Sequence, residues 1–540
     1  GVPVDRTELD AGSRRVPLPP YPYQRRRYWP GPLPDGGGLL HEVVWRPAPP
    51  VAGGPAGAVL VTGPDEVAVR RLTDALKAEG VRAVAVDAHD TAPGGERPAT
   101  VLLLAGPVRP GTVAGDGADP RGAASTSAAG PVAHADRHGA APGPAHPGTA
   151  AGPDTGLHAA VEQFRGALAL MDRYGARRLL LVTEDVHVTG RGVERPVPGQ
   201  AVLGGLALAV APESAGASAH WVDLASGDDE LSRIRAVAAE LAVPQAPEPV
   251  AWRGGRRWRR TVTAGPGPDA VGTAAKGTAS AGTGARTVAG RLPADGTYLV
   301  TGGAGALGSA LARDLAGRGR PVLVLTGRSV RPPRGLLEEL TALGADARYV
   351  AADLTVPDQV ERLVAGLPPL DAVFHAAGVV RPGSLRGTDT ADTLDALAAK
   401  TAGTVLLAEA LGRHDQRPGL CVAFSSVASV LPGLAGALGA YAAANAFLDA
   451  FAGAERRAGR PWLSVNFGPF AGPGMAAGAA DAGVLAGPAG RPLAVAPALA
   501  ALRSACGTDT AQVVLADLRS GASRVRPAGE RTPPAVTAAP

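Results

Sequence analysis

A tyrosine and an asparagine lie four residues apart in the alanine-rich segment "GAYAAANAFLDAF", residues 439–451. Alanine favours helix, and positions i and i+4 share one helical face, so Tyr441 and Asn445 are predicted to reach the same pocket. A tyrosine donates a proton in catalysis only where its surroundings make it more acidic than its usual pKa of about 10. A lysine ammonium would do this. Position 445 carries an amide, so such a lysine has to come from another part of the chain.

That lysine is predicted to be Lys400, the only lysine after residue 290. It lies in the predicted helix 390–411 among apolar and small neighbours. An unpaired buried ammonium is costly, so Lys400 is either a surface residue with a buried stem or a functional group. The segment "FSSVAS", residues 424–429, ends a predicted strand with hydroxyl groups, and this favours the functional role.

A glycine-rich segment, "YLVTGGAGALGSALARDLAGRG", reads as a strand, a turn and a helix over residues 298–319. Gly302 and Gly303 allow a tight turn. Gly305 would admit a pyrophosphate close to the backbone, and Gly308 would let the helix pack against the strand. The helix N-terminus offers unpaired N–H groups to phosphates. The pattern in this context predicts a dinucleotide site, and the alternative is a tight turn without a ligand.

The end of the next predicted strand indicates which dinucleotide binds. The text "LTGRS" places Arg328 and Ser329 there, where an acidic residue would accept the ribose 2′-OH of NAD. A cation and a hydroxyl suit a 2′-phosphate, so NADPH is predicted; the alternative is a solvated arginine. Asp353 follows another strand and is a candidate partner of the adenine amino group. The full candidate set for the cofactor is Thr301, Gly302, Gly303, Gly305, Ala306, Leu307, Gly308, Arg328, Ser329, Asp353, Leu354, His375, Ala376, Ala377, Gly378, Lys400 and Tyr441. No metal site is expected.

The elements that position these residues belong to the second of two similar halves. A chain of 540 residues is too long for one hydrophobic core, and both halves alternate short apolar strands with helical segments, which is typical of a parallel α/β sheet. The first half lacks a glycine turn, because "VTGPDEVA", residues 61–68, has Pro, Asp and Glu there. We therefore expect an α/β fold of two related Rossmann-like subdomains, of which only the second keeps a site.

Composition shifts mark the predicted boundaries. Gly/Ala/Pro/Thr-rich segments separate the folded parts, and both ends of the chain are expected to continue into a longer protein. The predicted organisation is a linker at 1–40, a structural subdomain at 41–263 with a disordered insertion at 107–153, a flexible linker at 264–292, a catalytic subdomain at 293–520 with a parallel doubly wound sheet, and a flexible tail at 521–540.

Bulk properties exclude several function classes. The net charge of +4 arises from 53 basic and 49 acidic residues, too balanced to indicate nucleic-acid or membrane binding. No run of 18 apolar residues indicates a transmembrane helix. Cys421 and Cys506 cannot build a disulfide framework and fit a reducing compartment, so a cytoplasmic location is expected.

The second half resembles the ketoreductase domain of modular type I polyketide synthases, a branch of the short-chain dehydrogenase/reductase superfamily. The matching text is "TGGAGALG", "LTGRS", "HAAGVV", "AAKTAGT", "FSSVAS", "YAAANAFLDAF" and "NFGPFAGPGM". In that family the lysine and asparagine have exchanged positions relative to most short-chain dehydrogenases, and Lys400 and Asn445 fit this exchange. The first half resembles the family's truncated structural subdomain, which binds no cofactor, through "LLHEVVWRPA", "GQAVLGGLALAVAPES", "HWVDLAS" and "VAWRGGRRW". The segment "VPLPPYPYQRRRYW", residues 16–29, resembles the linker after an acyltransferase domain.

The resemblance implies NADPH-dependent reduction of a β-ketoacyl thioester on an acyl carrier protein, with epimerisation of an α-substituent as a further capacity. Tyr441 would donate the proton, Ser426 would hydrogen-bond the carbonyl oxygen, Lys400 would acidify the tyrosine and Asn445 would position the lysine. The implied partners are the carrier protein and neighbouring synthase domains, and the isolated chain is expected to be monomeric. Three alternatives stay open: a catalytically silent scaffold, a module that only epimerises, and a free-standing dehydrogenase acting on a small alcohol.

Three features depart from the family pattern. The spacing from Ser426 to Tyr441 is two residues longer than expected, so Ser429 is an alternative to Ser426. Val380, Arg381 and Pro382 stand where one stereochemical class has Leu-Asp-Asp, and the tryptophan that marks the other class is missing. The configuration of the product is therefore not assigned, with a lean away from the Leu-Asp-Asp class.

Overall fold

The computed structural model describes residues 36–49, 57–86, 98–106, 155–191, 194, 196–243, 248–265, 292–471 and 491–518. The predicted insertion at 107–153, the tail at 521–540, and most of the two predicted linkers lie outside the described residues.

The described strands form one continuous sheet of fifteen. Most are short and rich in Val, Leu and Ala. Their side chains are buried on both faces of the sheet, as a parallel sheet covered by helices requires. The strands are β1 (Leu40–Pro47), β2 (Ala58–Thr62), β3 (Ala83–Ala85), β4 (Pro98–Leu104), β5 (Arg178–Glu184), β6 (Ser218–Leu224), β7 (Val250–Arg253), β8 (Arg256–Ala264), β9 (Thr297–Thr301), β10 (Val322–Gly327), β11 (Asp346–Ala351), β12 (Ala372–His375), β13 (Leu420–Ser426), β14 (Trp462–Phe467) and β15 (Gln512–Leu515).

The strand order repeats between the two halves of the chain. It runs β11-β10-β9-β12-β13-β14-β15 through the catalytic subdomain and then β1-β8-β7-β6-β5-β4-β2-β3 through the structural subdomain. All neighbours from β11 to β15 pair parallel, as do those from β7 to β3. The structural subdomain has no described counterpart of β11. The expectation of two related Rossmann-like subdomains, one truncated, is confirmed.

The two subdomains are joined through β1 and β8, which sequence reasoning did not foresee. β1 pairs antiparallel with β15 on one side and with β8 on the other, and β8 pairs antiparallel with β7. Each parallel sheet would otherwise end in an edge of unpaired backbone groups. The first described element is the short 3-10 helix Gly36–Leu39, which overlaps the predicted boundary at residues 40–41.

Helices cover the sheet. They are α1 (Glu66–Ala78), α2 (Thr155–Tyr174), α3 (Ala201–Ala207), α4 (Val210–Glu213), α5 (Glu230–Leu241), α6 (Ala306–Ala316), α7 (Leu336–Ala342), α8 (Pro357–Ala365), α9 (Thr390–Ala398), α10 (Ala402–Arg413), α11 (Gly439–Arg457) and α12 (Val495–Ala505). α11 packs against α3 of the structural subdomain so closely that a Cβ on Gly205 would lie 2.3 Å from Cα of Ala443. The helix that carries Tyr441 is therefore supported by both subdomains.

The predicted helix 390–411 is wrong in one respect, because it is broken between α9 and α10. Thr401 has φ −103° and ψ −86°, outside the helical region. The hydroxyls on either side of the break bond to backbone carbonyls, Thr401 Oγ1 to Leu397 O at 3.1 Å and Thr404 Oγ1 to Lys400 O at 2.8 Å. Lys400 consequently lies in a turn rather than within a helix.

Candidate active site

The carboxyl ends of the catalytic strands open onto a cavity of about 510 Å³. This is the edge where ligands bind in open parallel sheets. Most of the sequence-predicted residues line it: Gly302, Gly305, Ala306, Leu307, Gly308, Arg328, Ser329, Asp353, Leu354, Ala376, Ala377, Gly378, Lys400, Ser426 and Tyr441. Thr301, Gly303, His375, Ser429 and Asn445 do not line the cavity and lie behind its wall.

The glycine turn has the geometry that its sequence predicts. Gly302 has φ +67°, in the left-handed region that favours glycine. A Cβ on Gly308 would lie 2.3 Å from the carbonyl oxygen of Gly302, so this helix–turn contact also requires glycine. A Cβ on Gly305 would meet only the carbonyl of Gly302, at 3.1 Å.

Gly305 is also the N-cap of α6, and no side chain caps this helix. The first N–H groups of a helix have no partner within the helix. Here they face the cavity, where a phosphate would accept them.

Arg328 and Ser329 lie at the end of β10 with exposed side chains on the cavity rim. Tyr349, which sequence reasoning missed, lines the same rim and donates from its hydroxyl to the carbonyl of Ser329 at 2.8 Å. Asp353 follows β11, and one of its carboxylate oxygens accepts from the backbone and hydroxyl of Thr355 at 2.9 and 2.7 Å. Its second oxygen is not used by that turn.

His375 lies at the end of β12, fully buried beneath the cavity. Its ring nitrogens lie 2.8 Å from Thr301 Oγ1 and 3.0 Å from Thr404 Oγ1. Burial and the nearby charge of Lys400 lower the pKa of His375 to about 3, so the ring is neutral. The side chain of His375 therefore braces β9 against α10, and only its backbone is near the cavity.

Lys400 is buried, with 3% of its surface exposed, yet it is not unpaired. Its Nζ donates to the carbonyl of Phe424 and to Oδ1 of Asn445, both at 2.7 Å. A Cβ on Gly378 would lie 2.5 Å from Cε of Lys400, so this glycine leaves room for the lysine. Burial lowers the pKa of Lys400 to about 7, and the charge of Asp449 opposes this.

Tyr441 and Asn445 lie on one face of α11, as predicted. Nδ2 of Asn445 donates to the carbonyl of Tyr441 at 2.7 Å, and Nζ of Lys400 lies 5.4 Å from the centre of the Tyr441 ring. Burial raises the pKa of Tyr441, while hydrogen bonds with Ser426 and Asn445 lower it. The lysine, tyrosine, asparagine and serine thus form one connected group.

The two candidate serines have different surroundings. Ser426 lines the cavity together with Tyr441, and its interaction with Tyr441 lowers the pKa of that tyrosine. Ser429 is fully buried behind it, with Oγ 2.7 Å from Oδ2 of Asp449 and 2.8 Å from the carbonyl of Ser426. Ser426 and Tyr441 line the same cavity despite the longer spacing between them.

Sequence reasoning missed Asp449 and Asn466. Asp449 follows Asn445 by four residues on α11, which was a usable signal. Asn466 is fully buried in β14, and its Nδ2, which carries two hydrogens, lies within 2.9–3.0 Å of oxygens of Asp449, Ser425, Ser426 and Ser429. Nothing in its sequence neighbourhood indicated this contact.

Beyond Tyr441 the cavity wall is apolar, formed by Val379, Val380, Leu438, Phe467, Pro469 and Phe470. An apolar wall of this kind suits an apolar part of a ligand. Within the described ranges, no group of three or more His, Cys, Asp or Glu side chains could hold a metal ion. None of the described helices is long and apolar enough to cross a membrane.

The parallel sheet, the glycine turn after its first strand, and the serine, tyrosine and lysine at its carboxyl edge resemble the fold and site of short-chain dehydrogenases/reductases. Residues 296–472 match the family model of the KR domain. The chain as a whole resembles the ketoreductase regions of modular polyketide synthases, including the structural subdomain.

Relatives and solved structures agree with this resemblance. The chain is 34% identical over 501 residues to erythronolide synthase EryA3 of Saccharopolyspora erythraea, covering 88% of this chain and 14% of that protein. It is 42% identical over 231 residues to polyketide synthase GfsB of Streptomyces halstedii, covering 41% of this chain and 4% of that protein. The chain therefore spans about a seventh or less of these relatives.

Among solved structures, a C2-type ketoreductase from a modular polyketide synthase superposes with a TM-score of 0.64 at 27% identity, covering 90% of this chain and 96% of that one. The ketoreductase from the first module of phoslactomycin biosynthesis in Streptomyces sp. HK803 gives 0.64 at 25% identity, with coverages of 89% and 93%. An A-type ketoreductase gives a TM-score of 0.68 at 24% identity, covering 90% and 94%, which shows the fold alone.

Proposed function

We propose that the chain is an NADPH-dependent reductase that converts a β-ketoacyl thioester, carried on an acyl carrier protein, into the β-hydroxyacyl thioester. The observation that carries this proposal is the connected group of Lys400, Asn445, Tyr441 and Ser426, which meets the glycine turn in one cavity. A chain kept only as a scaffold would not need a buried lysine with two hydrogen bonds beside a buried tyrosine.

The residues present fit a dinucleotide phosphate. The uncapped N-terminus of α6 and the open side of Gly305 suit the pyrophosphate, and the exposed guanidinium of Arg328 suits a 2′-phosphate. The free carboxylate oxygen of Asp353 is the proposed acceptor for the adenine amino group. NADPH, when bound, supplies the hydride.

The protein's own residues supply the proton and the oxygen contacts. Tyr441 donates its phenolic proton to the carbonyl oxygen of the substrate, which becomes the β-hydroxyl group. Ser426 donates a hydrogen bond to the same oxygen and stabilises the negative charge that develops on it. Ser426 rather than Ser429 is the proposed serine, because Ser426 lines the cavity and contacts Tyr441.

Lys400 makes this proton transfer easier. Its positive charge, 5.4 Å from the centre of the Tyr441 ring, would favour loss of the tyrosine proton. Asn445 receives one hydrogen bond from Lys400 and directs the ammonium towards the tyrosine. With a pKa of about 7, Lys400 is charged in a large fraction of molecules at neutral pH.

The substrate, partners and location form part of the same proposal. The apolar wall near Tyr441 fits the acyl chain of a ketoacyl thioester. A carrier protein would deliver it, with neighbouring polyketide synthase domains before and after this chain, and epimerisation of an α-substituent would use the same residues. The buried free thiols of Cys421 and Cys506 support a reducing, cytoplasmic location.

The test is incubation of the chain with a racemic 2-methyl-3-ketoacyl thioester and NADPH, followed by chiral chromatography of the product. We expect a single diastereomer of the 3-hydroxyacyl thioester. Tyr441→Phe should remove nearly all turnover while NADPH still binds, and Tyr174→Phe in α2 serves as the matched control with normal turnover. A Tyr441→Phe chain that reduces the thioester at the normal rate would overturn the proposed function.

A further inference from the structure

An arginine of the structural subdomain reaches into the turn that carries the proposed catalytic serine. Arg260 lies in β8 and is buried, with 7% of its surface exposed. Its Nη2 donates to the carbonyl oxygens of Ser429 and Val430, both at 3.1 Å. These carbonyls end the one-turn 3-10 helix Val427–Ser429 that directly follows Ser426.

That turn is held from the other side by the catalytic subdomain. Oγ of Ser426 accepts from the backbone N–H of Ala428 at 3.2 Å, which fixes the start of the turn. Asp449 and Asn466 hold its end through Ser429 Oγ, at 2.7 and 3.0 Å. Arg260 is the contribution of the structural subdomain to this arrangement.

Charge complementarity supports the contact. Burial lowers the pKa of Arg260 to about 10, and the charges of Asp449 and Glu248 oppose this, so the guanidinium stays protonated at neutral pH. Ser429 and Val430 are buried, so without Arg260 their carbonyls would lose this donor in a place with little access to water. The backbone after Ser426 would then have to turn to find another donor.

We propose that Arg260 is a positioning residue for Ser426. Through Arg260 the structural subdomain, which has no cofactor turn of its own, sets the geometry of the catalytic serine. This inference rests on the proposed function. Loss of Arg260 should act on the serine and not on the cofactor-binding turn, because the glycine turn and Arg328 follow β9 and β10, away from this contact.

The experiment compares Arg260→Met and Arg260→Lys with Arg386→Ala. Arg386 is a matched control because it also joins the two subdomains, with Nε and Nη2 on the carboxylate of Asp172 at 2.7 and 2.8 Å, but does not touch the serine turn. We expect Arg260→Met to lower kcat by about 10–100-fold, the scale of a misplacement near 1 Å. The KM and the Kd for NADPH should change little, Arg260→Lys should recover part of kcat, and Arg386→Ala should behave as the unmodified chain.

A double variant separates positioning from general destabilisation. If Arg260 acts through Ser426, then Ser426→Ala combined with Arg260→Met should be no slower than Ser426→Ala alone. If Arg260→Met does not fold, Arg260→Lys, which keeps a buried cation, carries the same comparison.

Three results would each overturn the inference. They are a double variant whose loss of kcat is the product of the two single losses, a normal kcat in Arg260→Met, and a weakening of NADPH binding in Arg260→Met as large as its loss of kcat. An unmodified chain that reduces no β-ketoacyl thioester would overturn the proposed function and this inference with it. Normal turnover of the unmodified chain with an unaffected Arg260→Met variant would overturn the inference alone.

Discussion

Replacement of Lys400 by methionine probes the charge that the proposed mechanism requires beside Tyr441. Methionine fills a similar volume without the ammonium group. The carbonyl of Phe424 and Oδ1 of Asn445 would each lose a donor now 2.7 Å away, at about 1–3 kcal/mol for each buried acceptor. Removal of a buried charge acts in the opposite direction. Because the two effects oppose each other, we expect the variant to fold.

The effect on turnover follows from the role of the lysine in proton donation. Loss of a general-acid contribution usually lowers the rate by about 10²–10⁴-fold. At about 1.36 kcal/mol for each factor of ten, this corresponds to about 2.7–5.4 kcal/mol of activation free energy. NADPH binding should weaken far less, since Arg328 and the glycine turn are unchanged.

The pH dependence gives a sharper signature than the rate alone. Lys400 has a pKa lowered to about 7 by burial, so it is charged below this pH and loses its charge as the pH rises through it. The charged or titratable groups facing it are Tyr441, Asp449 and the neutral His375. We expect kcat for reduction to fall as the pH rises through about 7 in the unmodified chain. In Lys400→Met this fall should disappear, and the remaining fall should move to the higher pKa of Tyr441, which burial raises.

The assay is NADPH consumption with a β-ketoacyl thioester from about pH 5 to about pH 10, a range that spans both pKa values. Lys77→Met is the matched control, because Lys77 is an exposed lysine on α1, 3.1 Å from Asp74. Turnover of Lys400→Met close to that of Lys77→Met would refute the role of the lysine. An unchanged fall near pH 7 in Lys400→Met would refute its assignment to this group.

Two further outcomes follow from the same structure. Arg328→Ala should raise the KM for NADPH by about 10-fold or more, because it removes charge-assisted hydrogen bonds of about 1.5–3 kcal/mol, and should leave the KM for NADH nearly unchanged. The control is Arg331→Ala, at a nearby exposed arginine. Equal increases in KM for both cofactors would contradict the role of Arg328. His187 packs between Trp45 and Trp221, and burial lowers its pKa to about 3. In the unfolded chain its pKa is about 6.5, so the folded state loses stability relative to the unfolded state as the pH falls below about 6.5. His187→Phe should therefore resist urea better than the unmodified chain near pH 5 but not near pH 8, and an equal difference at both pH values would contradict this.

The parallel strands and their helices were predictable because their apolar runs are short and bounded by turn residues. The strand, glycine turn and helix predicted over residues 298–319 are present, with the strand at Thr297–Thr301 and the helix at Ala306–Ala316. The junction through β1 and β8 was not, since antiparallel pairing of β1 with β15 joins residues more than 470 positions apart. Hydrophobic periodicity shows that a strand exists and does not show which strand it pairs with.

The candidate site was predictable to the extent that side-chain type limits the chemistry. The family resemblance paired Lys400 with Asn445, and the structure places Nζ of Lys400 2.7 Å from Oδ1 of Asn445. Their roles stay predictions until the variants are measured. The break at Thr401 was missed because hydroxyl-to-carbonyl bonds compete with a helix only in context. The network around Asn466 was missed because its partners, in the segment 425–429 and at Asp449, come from two other segments of the chain.

One face of α11 connects these observations. Tyr441, Asn445 and Asp449 follow one another at intervals of four residues. Tyr441 faces the cavity, Asn445 holds Lys400, and Asp449 contacts the turn after Ser426. A small displacement of this helix would therefore move the tyrosine, the lysine and the serine turn together. Its close contact with Gly205 of the structural subdomain limits such movement. This gives the truncated subdomain, which lacks a glycine turn, a second physical reason to stay joined to the catalytic one.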